Sequence, residues 1–349
     1  MESAEAAIAG SGELVLPGAR LREWAKEAGF DLCGFARAEP IPPESLTGWL
    51  SSGMAADMGW IGARAAERLD VRLLLPGART VVALACNYYL PDESAPDSPI
   101  ARYARGRDYH ATLKDRLRRL RRALGQSHPE VRTYGSVDTG PVMEKIWAAR
   151  AGLGYVGRNG CLITEEFGSY VLLAILILDA DVDAWAGGAA IDRCGTCNLC
   201  VSACPTRAIV ADGTIDARRC LSYQTIENRG ASPEHLRTAT AGIAFGCDIC
   251  QDVCPLNLAP VSAERGFEPR PIAHLSVREL AALSLDRYRE LTSGTAVARA
   301  KYDGLRRNAI YALGAARDKS ALPLLQKLCS DPSELVGSAA QWAIRQLKA

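Results

Sequence analysis

The chain has 349 residues, a net charge of +1, 48% hydrophobic and 23% charged residues, and twelve cysteines. This length allows two or three domains, and the near-neutral charge excludes a protein whose overall charge selects nucleic acid. Twelve cysteines are too few for a disulfide scaffold, and the longest apolar run, residues 170–178, is too short to cross a membrane. Without a visible secretory signal, we expect a soluble, intracellular protein.

Residues 1–185 alternate between predicted helices and strands. Amphipathic helices are expected over residues 21–28, 111–124 and 142–151, and buried strands over residues 80–86 and 170–178. Strands that alternate with helices are typical of a layered α/β domain. We therefore predict one α/β domain from residue 1 to residue 185.

Eight of the twelve cysteines lie between Cys194 and Cys254. A block with the pattern C-x2-C-x2-C-x3-C-P begins at Cys194, and a block with the pattern C-x2-C-x3-C-P begins at Cys247. Without an export signal, such clustering indicates metal binding rather than disulfides. The other four cysteines are scattered and are expected to be small buried residues: Cys33, Cys86, Cys161 and Cys329.

The first block resembles the run in bacterial two-cluster ferredoxins, where three cysteines bind one [4Fe–4S] cluster and the fourth binds the other. The resemblance implies a first cluster held by Cys194, Cys197, Cys200 and Cys254. It implies a second cluster held by Cys204, Cys247 and Cys250, with Cys220 as the candidate for the missing ligand. Structural zinc is the alternative, although the Cys-Pro endings have no zinc rationale. We predict a ferredoxin-like domain over residues 186–262, held together by its metal.

Residues 263–349 are predicted to be helical and to contain a weak repeat. The segment 305–313 recurs as 336–344, an offset of 31 residues (336 minus 305), and Pro323 starts a helix between the two copies. This spacing of small and apolar residues resembles a HEAT-like helical repeat. Ordinary amphipathic helices are the alternative.

Several segments carry a resemblance in combination. They are RYARGRDYH at 102–110, VDTGPVMEK at 137–145, AGLGYVGRN at 151–159 and DARRCLSYQTIE at 216–227. Together with the cysteine blocks they closely resemble the epoxyqueuosine reductases, over essentially the whole chain. The resemblance implies an oxidoreductase that reduces epoxyqueuosine to queuosine at the wobble position of tRNA. It also implies an N-terminal cobalamin-binding domain, as in the related reductive dehalogenases, whose cobalamin the two clusters reduce.

The same resemblance implies site residues. Asp138 matches the proton donor of the family, and it would need desolvation against the corrin or the substrate to keep its proton at neutral pH. A turn or helix cap is the alternative role. The implied cobalamin contacts are Arg64, Tyr109, Asp138, Arg158, Asn159, Ser169 and Ser222. Residues 108–110 begin the Asp-x-His-x-x-Gly pattern of proteins that bind cobalt through histidine, but Leu113 replaces the glycine. We therefore expect base-off cobalamin with no histidine ligand.

Arginines are concentrated in the predicted helix over residues 111–124. Arg118, Arg121 and Arg122 share one helix face and would suit the phosphates of a tRNA anticodon stem-loop; a solvated face is the alternative. The tail is expected to add further cations to the RNA surface: Arg299, Lys301, Arg306 and Arg307.

We also expect the protein to need an external low-potential electron donor. We expect it to be a monomer and to work in the cytoplasm. Two other functions remain open. One is a reductive dehalogenase acting on a small molecule, and the other is a ferredoxin-type electron-transfer protein.

Overall fold

The computed structural model describes residues 14–185, 191–263 and 266–348, and only the backbone of Ser45. The predictions that rest on residues 1–13 (no signal segment) and on residues 186–190 (the start of the cluster domain) lie outside the described residues. Within the described part, no helix has both the length and the apolar character needed to span a bilayer.

The N-terminal half contains short helices and strands around one main sheet. In chain order they are β1 (Val15–Leu16), α1 (Gly18–Ala28), β2 (Leu32–Arg37), α2 (Glu44–Ser51), α3 (Gly59–Ala63), α4 (Ala65–Leu69), β3 (Thr80–Asn87), α5 (Tyr109–Ser127), β4 (Thr133–Ser136), α6 (Glu144–Arg150), β5 (Tyr155–Val156), β6 (Leu162–Ile163), β7 (Val171–Leu178) and β8 (Asp181–Val182).

The main sheet has the strand order β2-β3-β7-β4, and each neighbouring pair is antiparallel. Side chains alternate between its two faces. Val82 and Leu84 belong to the core that includes α1 and α5, while Val81 and Ala83 belong to the core beneath α6. The sheet is therefore the middle of three layers, and the two buried strands predicted from the sequence, now β3 and β7, are confirmed.

Helix α5 positions part of the candidate site. Four leucines at helical spacing are buried against the sheet: Leu113, Leu117, Leu120 and Leu124. The Asp108 side chain accepts a hydrogen bond of 2.9 Å from the His110 backbone N–H, which caps the first turn. This cap fixes the start of the helix at His110, and Arg118, Arg121 and Arg122 lie on its exposed side.

The cysteine region has only short elements: α7 (Leu199–Ala203), β9 (Ile209–Ala211), β10 (Thr214–Ile215), α8 (Leu221–Ile226), α9 (Glu234–Arg237) and α10 (Ile249–Asp252). Cys200 lies within α7, Cys220 directly precedes α8, and Cys250 lies within α10.

The tail contains α11 (Val277–Ala281), α12 (Leu285–Thr292), α13 (Tyr302–Ala315), α14 (Leu322–Leu328) and α15 (Glu334–Lys348). Helices α13 and α15 carry the two copies of the repeat. The aligned small residues Ala309, Ala312, Ala340 and Ala343 are each at most 1% exposed, so they form the faces on which the helices pack closely. The predicted helical repeat is therefore confirmed.

Two buried polar residues of α13 join the tail to the cysteine region. The Arg307 guanidinium donates to the backbone carbonyls of Gln224 (2.8 Å) and Asn228 (3.0 Å). The Asn308 amide donates to the carbonyl of Thr225 at 2.7 Å. These bonds satisfy the carbonyl end of α8, the helix that Cys220 precedes.

The prediction that Arg306 and Arg307 lie on an RNA-binding surface is wrong. Arg307 is 0% exposed. Arg306 is 6% exposed and forms a 2.5 Å ion pair with Asp331. Both arginines are bonded within the protein, so neither is available to a phosphate.

Candidate active site, cluster cysteines and arginine face

Three titratable side chains form a hydrogen-bonded chain where α5 begins and β4 ends. Asp108 Oδ1 lies 2.7 Å from His110 Nδ1, and Asp138 Oδ2 lies 2.9 Å from His110 Nε2. Asp138 follows β4 with a φ of +54°, a left-handed conformation that aspartate adopts more readily than most residues. The fold thus places the predicted Asp138 beside a histidine to which the sequence assigned no role.

A glycine fixes the loop that carries Asp138. A Cβ added at Gly140 would lie 2.1 Å from Ser136 Oγ and 3.0 Å from Ser136 Cβ, so a larger residue would displace the Ser136 side chain. The loop therefore folds back closely on the end of β4 at Gly140, two residues after Asp138.

The two carboxylates determine where the proton resides. Burial opposes a charge on His110, but the contacts with Asp108 and Asp138 outweigh it and raise the pKa of His110 to about 9. Burial alone would raise the pKa of Asp138, yet the hydrogen bond and charge of His110 lower it below its ordinary value. At neutral pH His110 is protonated and Asp138 is ionised. Within the protein, the imidazolium outweighs the burial of Asp138. The expected desolvation by the corrin or the substrate stays a prediction.

Residues from three parts of the chain surround this proton-holding pair. The Tyr109 ring stacks on His110 with centroids 4.1 Å apart. The charge of Arg299, from the tail, contributes to the lowered pKa of Asp138. Arg299 is held by a bidentate pair with Glu227 at 2.8–3.1 Å. The tail therefore contributes a cation to the candidate site, whereas the sequence suggested only a surface charge.

Three buried polar atoms near this loop have no hydrogen-bond partner among the described residues. They are Ser136 Oγ, Glu144 Oε1 and Trp147 Nε1. Burial raises the pKa of Glu144 to about 8, so this carboxyl holds a proton at neutral pH. Buried polar atoms are almost always hydrogen-bonded, and a bound group with several donors and acceptors would complete this segment.

The four cysteines assigned to the first cluster come together. Cys194, Cys197, Cys200 and Cys254 line one cavity of about 90 Å³. No group of three or more Cys, His, Asp or Glu side chains in the described ranges is compact enough to hold a single metal ion; these four thiols instead surround a cavity. That arrangement suits an iron–sulfur cube, in which each thiolate binds a different iron.

The four cysteines assigned to the second cluster are also neighbours. Burial, together with the charges of Cys220 and Cys204, raises the pKa of Cys247 to about 12. Cys250 is buried, and Cys247 and Cys220 add to the rise of its pKa. Burial raises the pKa of the Cys220 thiol, and the nearby Ser222 hydroxyl, a predicted cofactor contact, opposes the rise. The position of Cys220 supports its assignment as the fourth ligand.

Cys161, which the sequence placed among the scattered cysteines, lies beside these thiols. Burial raises its pKa, and the charges of Cys220 and Cys254 add to the effect. Its backbone N–H donates to Asn159 Oδ1 at 3.1 Å. Its position became visible only in the folded chain.

Arg158 and Asn159 line the first cluster cavity. Arg158 donates to Asn198 Oδ1 at 2.6 Å and to the Gly195 carbonyl at 2.8 Å. The Asn159 amide lies 3.4 Å from the Cys250 carbonyl, between the two cysteine groups. These two predicted cofactor contacts therefore support the cluster loops.

Two further predicted contacts have partners within the protein. Arg64 lies between α3 and α4 and pairs with Glu67 at 3.0 Å. Ser169 is buried; its hydroxyl donates to Gln251 Oε1 at 3.0 Å and accepts from Asn257 Nδ2 at 2.8 Å. Because both hydrogen-bonding roles of Ser169 are used internally, its contacts indicate a structural link to the second cysteine block.

The predicted tRNA contacts line one surface cavity of about 380 Å³. We call Arg118, Arg121 and Arg122 the α5 arginine face. Arg118 forms an ion pair with Asp115, and Arg121 donates to Thr133 Oγ1 at 2.9 Å. The structure thus brings the three guanidinium groups to one cavity, with two of them oriented by neighbours.

Three family models match the chain. The family described as epoxyqueuosine reductase QueG, DUF1730, matches residues 68–139, the 4Fe-4S double cluster binding domain matches residues 193–257, and HEAT repeats match residues 295–349. The latter two bear out the predicted double-cluster domain and HEAT-like tail.

The curated relatives of this chain include two epoxyqueuosine reductases that align over most of its length. The epoxyqueuosine reductase of Gloeobacter violaceus is 42% identical over 315 residues, which cover 87% of this chain and 98% of the relative. That of Synechococcus sp. (strain RCC307) is 41% identical over 297 residues, covering 82% and 91%.

Two solved structures are similar throughout. An epoxyqueuosine reductase crystallised with an epoxyqueuosine-modified stem loop of tRNA-Tyr is 32% identical with a TM-score of 0.85. A Bacillus subtilis epoxyqueuosine reductase, described with its catalytic aspartate loop swung out of the active site, is 32% identical with a TM-score of 0.86. Each alignment covers 95% of this chain and 90% of the other.

Proposed function

The chain belongs to the epoxyqueuosine reductase family, and we propose that it reduces epoxyqueuosine to queuosine in tRNA at the site built around Asp138 and His110. The reaction consumes two electrons and two protons, opens the epoxide, and leaves an alkene and water. The observation that carries the assignment is the Asp108–His110–Asp138 chain, because it holds a proton at neutral pH next to a cationic residue of the tail.

The residues of this site have distinct roles in proton transfer. His110 holds the proton, and Asp138, on the open side of the ring, accepts its hydrogen bond. As the epoxide C–O bond breaks, its oxygen gains negative charge and takes this proton through Asp138. Asp108 orients the imidazole and keeps it protonated.

Cobalamin is the second cofactor that the family implies. Ser136 Oγ, Glu144 Oε1 and Trp147 Nε1 have no hydrogen-bond partner among the described residues. The amide side chains of cobalamin both donate and accept hydrogen bonds, so they match these donors and acceptors. When bound and reduced, cobalamin supplies a two-electron nucleophile. We propose Tyr109, Asp138 and Ser222 as contacts; Arg64, Arg158, Asn159 and Ser169 have internal partners and are weaker candidates.

We further propose that no histidine binds cobalt. Both ring nitrogens of His110 are already within 2.9 Å of carboxylate oxygens, and a metal bond would displace one of them. A nitrogen superhyperfine splitting from a protein imidazole in the EPR spectrum of the Co(II) form would contradict this assignment.

The cysteine region supplies the electrons. We propose Cys194, Cys197, Cys200 and Cys254 as the ligands of the first [4Fe–4S] cluster, and Cys204, Cys220, Cys247 and Cys250 as those of the second. Cys220 directly precedes α8, which contains Ser222, so the second cluster lies nearer the proposed cofactor contacts. We propose three domains: the α/β domain over residues 1–185, the cluster domain over residues 186–262 and the helical tail over residues 263–349.

The substrate is proposed to be held by charge. The α5 arginine face suits tRNA phosphates, and Arg299 lies at the active site itself. An anticodon stem-loop would present its wobble nucleoside splayed out of the stack. We propose a monomer that works in the cytoplasm with an external low-potential donor.

One experiment tests the function. The protein is purified anaerobically, reconstituted with iron, sulfide and cobalamin, and given epoxyqueuosine-containing tRNA with a chemical reductant. Queuosine in the digested tRNA, detected by mass spectrometry, is the expected product. A protein that carries both clusters but has no affinity for cobalamin would contradict the proposal and indicate an electron carrier.

A further inference from the structure

Trp60 is an exposed aromatic side chain beside the proposed active site. All six tryptophans of the chain lie in the described residues, and Trp60, in α3, is the most exposed of them at 47%. The Arg299 guanidinium lies over its ring, 5.4 Å from the ring centroid. Arg299 is also the tail residue whose charge contributes to the lowered pKa of Asp138. Trp60 therefore packs against a residue that acts on the active-site carboxylate.

Partners on two sides fix the position of the Trp60 ring. The Tyr223 hydroxyl, from α8, donates to Asp57 Oδ2 at 3.0 Å and accepts from the Asp57 backbone N–H at 3.3 Å. These bonds hold the segment that precedes α3. On the other side, Arg299 is held by its bidentate pair with Glu227. Because the ring lies between two fixed elements, its immobilisation by a ligand costs little conformational entropy.

The two arginines on this side of the site share one carboxylate. Arg299 lies 2.8 Å and Arg229 lies 3.6 Å from Glu227 Oε2, and the nearby Asp57 is a further carboxylate. These charges offset one another, so they attract a phosphate only weakly. The exposed part of the Trp60 ring instead offers a flat apolar surface. Nucleobases stack on such rings, so the chemistry here favours a base over a phosphate.

The proposed substrate contains a base that needs a stacking partner. The wobble nucleoside must leave the anticodon stack to reach the active site. In a stacked anticodon the wobble base covers its neighbour on the 3′ side, so its departure uncovers one face of that neighbour. An aromatic ring beside the active site would replace the lost stacking contact.

We propose that Trp60 stacks on the nucleobase immediately 3′ of the wobble position while the wobble nucleoside occupies the active site. The ring then lies between this base and the Arg299 guanidinium, and Trp60 is a substrate-binding residue. Stacking on an aromatic ring tolerates any base, so the contact orders the loop without selecting its sequence. This inference rests on the proposed function for the identity of the substrate.

The test is a double-mutant cycle between the ring and the base. Trp60→Ala is combined with an epoxyqueuosine-modified anticodon stem-loop that is abasic immediately 3′ of the wobble position. Binding is measured anaerobically by the fluorescence anisotropy of end-labelled RNA, using the full-length protein with both clusters and without cobalamin or reductant. The matched control is Trp185→Ala, which removes a partly exposed tryptophan that also packs against an arginine, Arg37, at 4.4 Å.

We expect Trp60→Ala to weaken binding of the intact stem-loop by about tenfold, the scale of one base stacked on an aromatic ring. The abasic site should weaken binding to wild type by a similar factor and should have little further effect on the variant. Trp60→Phe, which keeps an aromatic ring, should retain most of the affinity. Trp185→Ala should bind both RNAs as wild type does.

The salt dependence of binding separates stacking from charge. It should be the same in wild type and Trp60→Ala, because the loss of a stacked base changes no phosphate contact. Iron analysis confirms that the clusters are present in each variant. If Trp60→Ala loses iron, Trp60→Leu replaces it, since leucine fills part of the same volume without an aromatic face.

Four results would overturn the proposal. They are an unchanged affinity of Trp60→Ala, losses from the variant and the abasic site that simply add, a Trp60→Phe protein that binds as weakly as Trp60→Ala, and a reduced salt dependence in Trp60→Ala. Failure of the proposed function would appear differently, as a wild-type protein that leaves the epoxide intact when it is supplied with clusters, cobalamin and a reductant.

Discussion

Replacing Asp108 by asparagine tests the proton-holding pair most directly. Asparagine caps a helix about as well as aspartate, so the first turn of α5 should remain. The substitution removes one of the two carboxylates that hold the His110 proton. The proton should therefore leave His110 at lower pH, while Asp138 keeps its hydrogen bond to the ring.

The size of the effect follows from the geometry. The pKa of His110 is raised from 6.5 to about 9, against the opposing effect of burial. Asp108 and Asp138 each hydrogen-bond to the ring and each add to the rise, and the hydrogen bond of Asp108 is the largest of the raising contributions. The D108N variant should lower the pKa of His110 by about one unit or more, which is about 1.4 kcal/mol per unit.

Two measurements report this change. The chain has four histidines, so the His110 ring signal can be followed by NMR pH titration and identified by its loss in a His110→Gln variant. Epoxide reduction should fall as pH rises through the His110 pKa, because the proton is lost, and this alkaline limb should move to lower pH in D108N. His128, near Glu130 at the far end of α5, serves as the internal control. A His110 signal that titrates at the same pH in both proteins would refute this account.

Three other predictions concern separate parts of the molecule. Asparagine tolerates a positive φ, so Asp138→Asn should keep the loop conformation. Asp138→Asn and Asp138→Ala should both retain the clusters, yet their rate of epoxide reduction should fall by about a hundredfold or more. Full turnover of either variant, measured by mass spectrometry, would show that Asp138 has no part in the mechanism. Charge reversal of the α5 arginine face should weaken binding of the tRNA stem-loop and reduce the salt dependence of that binding. An unchanged affinity in a fluorescence titration would show that these arginines contact only solvent. Arg307→Leu leaves several buried carbonyls without donors and should lower the free energy of unfolding by on the order of 3 kcal/mol, measured by denaturant titration, whereas the exposed Arg345→Leu should have little effect.

The double-cluster domain could be predicted because its sequence pattern is local. Two-residue gaps and the Cys-Pro endings identify the cluster type without knowledge of the fold. Counting ligands then selected Cys220, and its folded position agrees with that choice. The buried strands β3 and β7 could also be predicted, since their uninterrupted apolar runs, six residues at 81–86 and eight at 171–178, have few other possible environments.

The misassigned arginines show the opposite case. Arg306 and Arg307 have the charge of an RNA surface, yet their partners lie 25 and about 80 residues away in sequence. No pattern within α13 distinguishes a buried arginine from an exposed one. The role of His110 was not predicted for a similar reason. Its two carboxylate partners, Asp108 and Asp138, come together only because β4 ends beside the start of α5.

The contacts of Arg307 and Asn308 also constrain how this enzyme can evolve. A tail from a relative could not simply be grafted onto this chain, because the graft would also replace the donors that hold the α8 helix behind Cys220. Substitutions at Arg307 or Asn308 are thus coupled to the position of a cysteine that lies more than 80 residues earlier in the sequence.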